Sequence, residues 1–248
     1  MTDDALFVGV DYSDGDWLAA AFDTAGFDHA EIFGGIGELW ARYEDVAERI
    51  LVDVPLGLVE EGAIPRPCEA AAREVLGPRA TAICDPPVRE AARKRRFPAA
   101  TRVNERKAGR PLSKDAFASS DGIVAVDELL SEVVEARPVF ASAHPEVCFR
   151  AFAGTTLERA QQTAGGYAER MRALATFTRD GPPVVQECAE ATGDHDIAVH
   201  DVLDAVALGY TARPGPGSLR SLPADPPTDA TGLPMQLVYR AEEPLEPA

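Results

Sequence analysis

The chain has 248 residues, 46% hydrophobic and 26% charged, which is enough for one well-buried core and too few to require two full domains. No run approaches the roughly 18 uninterrupted apolar residues of a membrane span, and the start MTDDALFVGVDYS passes from acidic residues directly into a strand pattern, so a soluble cytoplasmic protein is expected. The net charge of −17 comes from 41 acidic against 24 basic residues, of which only Lys94, Lys107 and Lys114 are lysines. An acidic, lysine-poor, alanine-rich surface suits molar intracellular salt, and the protein reads as halophilic. Cys68, Cys84, Cys148 and Cys188 lie far apart with no C-x-x-C pair, so they read as reduced thiols and not as a zinc site or a disulfide framework.

In chain order, residues 5–11 (ALFVGVD) read as a buried strand, and 17–23 and 29–33 follow after short Gly/Asp turns as a meander. Ile36, Leu39, Trp40, Tyr43 and Val46 recur at helical spacing over 36–49, and 50–54 (ILVDV) is a fourth apolar run ended by Pro55, so the helix reads as a crossover. Residues 64–115 break the pattern with proline-rich turns, a helix at 66–76 and arginine-dense text, and read as an inserted cap. A helix at 127–136 precedes a fifth strand at 138–143. Residues 155–192 are mostly helical, interrupted at Gly165–Gly166 and at Gly181-Pro182-Pro183. An amphipathic helix at 197–212 is followed by a Pro/Gly/Asp-rich loop at 213–232 and a last apolar stretch at 235–240. This order predicts an α/β protein of the RNase H-like fold. It would be one domain over 1–248, with a central five-stranded mixed sheet flanked by helices and a basic cap at 64–115.

Roughly one residue in six is acidic, so position and not number singles out functional carboxylates. Asp11 ends VGVD and Asp53 interrupts ILVDVPLGL, both among apolar residues, where an unpaired carboxylate costs several kcal/mol. Asp204 sits similarly in VLDAVALGY, with Asp201 three residues earlier on the same helical face. Glu146 follows the fifth strand in His144-Pro145-Glu146, where it is a further acid of the cluster or a first-turn helix residue. Carboxylates gathered from separate elements repel one another, and divalent metal makes such a cluster tolerable. Oxygen ligands favour Mg²⁺ or Mn²⁺. The plainer alternative makes each acid a helix cap or an ion-pair partner.

Between Arg89 and Lys114 lie ten basic residues and two acids, so this segment carries +8 and the other 222 residues −25. A polyanion partner, DNA or RNA, would explain the concentration, with Arg89, Arg93, Lys94, Arg95, Arg96, Arg102, Arg106 and Lys107 as phosphate contacts. Internal pairing with the acidic body is the alternative.

Taken together, GVDYSDGDW, ILVDVPLGL, RPCEAAAREVLGPRATAICDPPVREA, GRPLSKDAF, VDELL, HPEVCF, DVLDAVALGYTA and GLPMQLVY, in that order and over nearly the whole chain, resemble the domain of unknown function 429 family. That family is a predicted nuclease group of the RNase H-like superfamily. The resemblance implies metal ligands at Asp11, Asp53 and Asp204, with Asp201 and Glu146 as additional acids, and a metal-dependent hydrolase acting on phosphodiesters. The D-x-x-D-A text of 201–205 also looks like the last acidic motif of Holliday-junction resolvases of this fold. One departure stands: the family pattern carries a lysine-bearing segment before VDELL, whereas this chain has SSDGIVA. A non-catalytic nucleic-acid or protein-binding module on the same fold is the competing reading. An actin-like ATPase is disfavoured because no phosphate-binding glycine loop is present, and nothing marks a triad around Cys148 and His144.

Overall fold

The computed structural model describes residues 5–62 and 64–248; residues 1–4, the acidic start, lie outside the described residues. The chain opens with the expected meander. Strands β1 (Leu6–Ser13), β2 (Asp16–Phe22) and β3 (Phe27–Phe33) run antiparallel, and Asp14 and Gly15, at φ 50° and 101°, close the first hairpin with the left-handed pair that a two-residue turn requires. Helix α1 (Ile36–Tyr43) then crosses over so that β4 (Ala47–Val52) lies parallel to β1. The helix is shorter and the strand earlier than the periodicity suggests, because Glu44 and Asp45 turn the chain.

Helices α2 (Pro67–Leu76), α3 (Arg89–Ala92), α4 (Phe97–Ala108), α5 (Lys114–Ala118) and α6 (Ser120–Glu132) follow, and β5 (Phe140–Ser142) joins β4 in parallel. The sheet order β3-β2-β1-β4-β5 is that of the RNase H-like fold. After it come α7 (Pro145–Ala153), α8 (Ala164–Phe177), α9 (Gly181–Ala191) and α10 (Val199–Ala212), then a two-stranded antiparallel sheet of β6 (Ser218–Leu222) and β7 (Leu237–Ala241).

Strand alternation divides the core. Phe7, Leu18, Phe22 and Leu51 face α7 to α10, whereas Val8, Val10, Trp17, Ile50 and Val52 face α1 and α6. Every residue of α10 from Asp201 to Ala212 is buried, as expected of a helix that is apolar all round and lies between a sheet and other helices.

Several sequence expectations change. Residues 64–115 are more helical than the proline text implies, and they pack in two places: α2 against α7 and the β6–β7 pair, α3 to α5 against one another and α6. The helix expected at 127–136 begins at Ser120, with Gly122 against the Tyr12 ring, and ends at Glu132. Gly165–Gly166 do not interrupt a helix; they form the first turn of α8. The loop expected at 213–232 contains β6.

The close approach of α10 to β1 rests on two glycines. A Cβ at Gly9 would overlap the backbone of α10 at Ala205, Leu208 and Gly209, and a Cβ at Gly209 would overlap the Phe22 ring and lie 3.1 Å from the Ala20 carbonyl oxygen. Backbone cannot step aside as a flexible side chain can. Gly9→Ala is therefore expected to cost about 3 kcal/mol and to lower the melting temperature by roughly 6–12 °C. A thermal melt within 2 °C of the native protein's would show that this contact is not close.

Candidate metal centre

Parallel register places the first two acids. Val10 pairs with Val52, so the next residues along β1 and β4 are Asp11 and Asp53, and the Asp53 N–H donates to the Val10 carbonyl at 3.0 Å. The third acid comes from α10, whose glycine-mediated contact with β1 brings Asp204 over the strand ends. One oxygen from each of Asp11, Asp53 and Asp204 lies within 4.8 Å of the others. The site therefore sits at the carboxyl ends of β1 and β4, where open α/β sheets usually bind ligands.

Asp11 and Asp204 are only 5% and 4% exposed, and Asp53 is half-buried. Burial and the neighbouring carboxylates push all three well above the usual carboxylate range; for Asp11 the neighbour is Asp201, for Asp53 they are Asp11 and Glu146, and for Asp204 they are Asp11, Asp53 and Glu146. At 4.8 Å and an effective dielectric of about 20, each ionised pair repels by roughly 3 kcal/mol. Asp204 Oδ1 is buried without a hydrogen-bond partner. Three converging carboxylates, one of them with an orphan oxygen, fit a divalent cation: it would supply a missing partner and cancel the repulsion.

Glu146 stands beside the three and not among them. His144 caps α7, its Nδ1 accepting the Glu146 N–H at 3.2 Å, and Pro145 occupies the first turn. That places the buried Glu146 carboxylate next to Arg170, with Arg79 at 3.4 Å. Its Oε2 has no partner. The charge of Glu146 is felt at both Asp53 and Asp204, so it faces the same point. Arg170 is fully buried and its Nη1 also donates to the Gly166 carbonyl at 2.9 Å. Asp201 lies outside the three-acid group, where its carboxylate accepts the Ala198 N–H at 3.3 Å at the start of α10.

A cleft of about 260 Å³ opens onto Asp53, Asp204 and Glu146 and is walled by Arg79, His144 and Gln161. Burial lowers His144, which keeps the imidazole neutral. Sequence reading did not find Arg79, Arg170 or the glutamine. Arg170 lies one turn after Gly166, whose missing side chain leaves room chiefly for the Ala160 backbone. Cys148 is buried and its thiol is pushed up to about 12, so it is no nucleophile.

The basic segment behaves differently from one residue to the next. Arg89 is buried and binds Asp127, Glu60 at 2.5 Å and Asp229. Arg93 reaches the same Asp127 at 2.8 Å. Lys94, Arg106 and Lys107 surround Glu90 at 3.2–3.4 Å. Arg95, Arg96 and Arg102 are exposed, with no carboxylate within ion-pair distance among the described residues. The segment's charge is thus partly consumed inside the protein.

No helix among the described residues is long and apolar enough to cross a membrane. No curated protein and no solved structure matches the chain. The sequence profile of the family described as "Protein of unknown function (DUF429)" matches residues 9–228, a span that contains all three clustered aspartates. The chain belongs to that family.

Proposed function

We propose that this protein is a divalent-metal-dependent nuclease that hydrolyses phosphodiester bonds of DNA or RNA, with Mg²⁺ or Mn²⁺ held by Asp11, Asp53 and Asp204. The observation that supports it is the convergence of three mutually repelling carboxylates from β1, the end of β4 and α10 on one point, with a buried orphan oxygen on Asp204. Bound divalent ions would lower the pKa of a water and stabilise the leaving oxygen of the phosphodiester.

The chain's own residues do the remaining work. Arg170 and Arg79 hold Glu146 so that its free Oε2 is the nearest additional base or hydrogen-bond acceptor at the rim of the cluster. Arg79, which lines the cleft, offers guanidinium donors to a phosphate oxygen there. Neutral His144 fixes the Glu146 backbone and so orients α7 at the site. Exposed Arg95, Arg96 and Arg102 are the contacts available to a nucleic-acid backbone in the cytoplasm, and in concentrated salt they act by direct contact because screening shortens to about 3 Å at 1 M.

The raised aspartates make a prediction about stability. A carboxyl whose folded pKa exceeds its unfolded value stabilises the fold below the unfolded value, and that stability is lost as pH rises through the folded one. Metal-free protein therefore carries a penalty that grows as pH rises above the ordinary carboxylate range. Asp204→Asn is expected to raise the melting temperature in EDTA at pH 7.5 by roughly 2–8 °C, corresponding to about 1–2 kcal/mol. The gain should shrink toward pH 4.5, as the native cluster takes up protons. Adding Mn²⁺ should stabilise the native protein and leave the variant unchanged. A variant gain independent of pH, with no effect of Mn²⁺ on either protein, would show that the cluster neither ionises nor binds metal.

For activity, single-stranded, duplex, hybrid and junction substrates are incubated in high KCl with and without Mn²⁺. Metal-dependent cutting by the native protein and its loss by at least 10²-fold in Asp11→Asn is the expected result. Retained binding with no cutting on any substrate would replace the nuclease by a nucleic-acid-binding module of the same fold.

A further inference from the structure

A second concentration of positive charge without carboxylate partners lies away from the +8 segment. Arg49 in β4, Arg137 before β5 and Arg220 in β6 line one cavity of about 550 Å³ beside the edge strand β5. No acidic residue lines it. All three arginines are half-buried, and their protein acceptors are backbone carbonyls: Ala212 for Arg49, Leu130 and Thr231 for Arg137, Ala241 and Glu242 for Arg220. A guanidinium has five N–H donors, so each retains free ones. A fourth arginine, Arg240, is buried close by and also bound only to carbonyls, those of Thr211 and Gly217, and the charge of Arg49 lowers it further. In a protein of net charge −17, three guanidiniums around one cavity with no carboxylate in its wall leave that positive charge unneutralised locally.

The rest of the wall is apolar or neutral. Pro138 supplies an exposed apolar face, Phe140 and Tyr239 lie buried behind the wall, and Ser221 and Gln236 supply hydrogen-bonding groups. The volume lies in the range that holds a small organic ligand. Arg49 is four residues upstream of Asp53, about 13 Å along an extended strand, so this cavity is separate from the carboxylate cluster and opens at the opposite end of β4.

We propose that this cavity is a binding site for a small organic phosphate of nucleotide size, whose phosphate oxygens meet the Arg49, Arg137 and Arg220 guanidiniums and whose organic part lies against Pro138. Arginine forks match the geometry of phosphate oxygens, and the half-buried setting protects the contacts from screening. The site stands independently of the metal centre.

Calorimetric titration of the full chain in EDTA, at low salt, with AMP, inorganic pyrophosphate and adenosine as probes tests it. AMP should bind most tightly, pyrophosphate less so and adenosine hardly at all. Arg137→Gln and Arg220→Gln, which lie on different elements, should each weaken AMP by tenfold or more, with melting temperatures near native. Asp11→Asn should bind AMP as the native protein does. Binding of AMP that is lost in Asp11→Asn but kept in the two arginine variants would assign the phosphate to the carboxylate cleft and overturn the proposal. Equal binding of adenosine and AMP, or no binding of AMP or pyrophosphate, would overturn it as well.

Discussion

The whole site depends on how closely α10 lies on β1. Helices usually stack on sheets with side chains between them, but here Gly9 and Gly209 remove those side chains, so backbone meets backbone and Phe22 fills the remaining space. Asp204 is five residues before Gly209 on the helix, and Asp11 two residues after Gly9 on the same face of the strand. The glycine contact therefore sets the distance between the two carboxylates. Asp53 needs no such device because parallel register alone puts it beside Asp11.

Much of this was legible in the sequence, for identifiable reasons. Apolar runs bounded by turn residues gave the strands, since a strand buried on both faces cannot be amphipathic; the acids that interrupt those runs, Asp11, Asp53 and Asp204, then stood out despite 41 acidic residues. What could not be read was anything that depends on a cation's partner. Arg170 and Glu146 are 24 positions apart and meet only because α7 and α8 pack together. Arg89 looks in sequence like the first of a basic run, yet it joins α3 to Asp127 on α6 and to Asp229 ahead of β7. The run of arginines masks two populations, one structural and one exposed, and local charge counting has no means of separating them.

The same point applies to the protein's electrostatics as a whole. With 41 acids against 24 bases, a carboxylate partner for an arginine is the ordinary case, so an arginine without one is more informative than an arginine with one. Exposed pairs such as Arg106 with Glu90 contribute little to stability in any case. The buried pairs matter more for arrangement: breaking Arg66 from Glu69, or Arg89 from Asp127, would strand a charge away from water. Arg66 also donates to the carbonyls of Leu56 and Gly57, so the chain leaving Asp53 is anchored by a buried guanidinium a few residues downstream.

Why the three aspartates persist follows from energetics. Glu146 has Arg170 and Arg79 to offset its charge, and Asp201 has the amide of Ala198 at a helix start. Asp11, Asp53 and Asp204 have neither, and the nearest cation that Asp204 feels, Arg170, is bound to Glu146. A core built for stability alone would place Asn or an apolar residue at these positions and gain by it. The arrangement makes sense when the compensating charge arrives from solution as a divalent cation, because then the repulsion that destabilises the empty cluster becomes affinity for the ion. Geometry thus links the close glycine contact, which gathers the acids, to the chemistry that a metal would perform there.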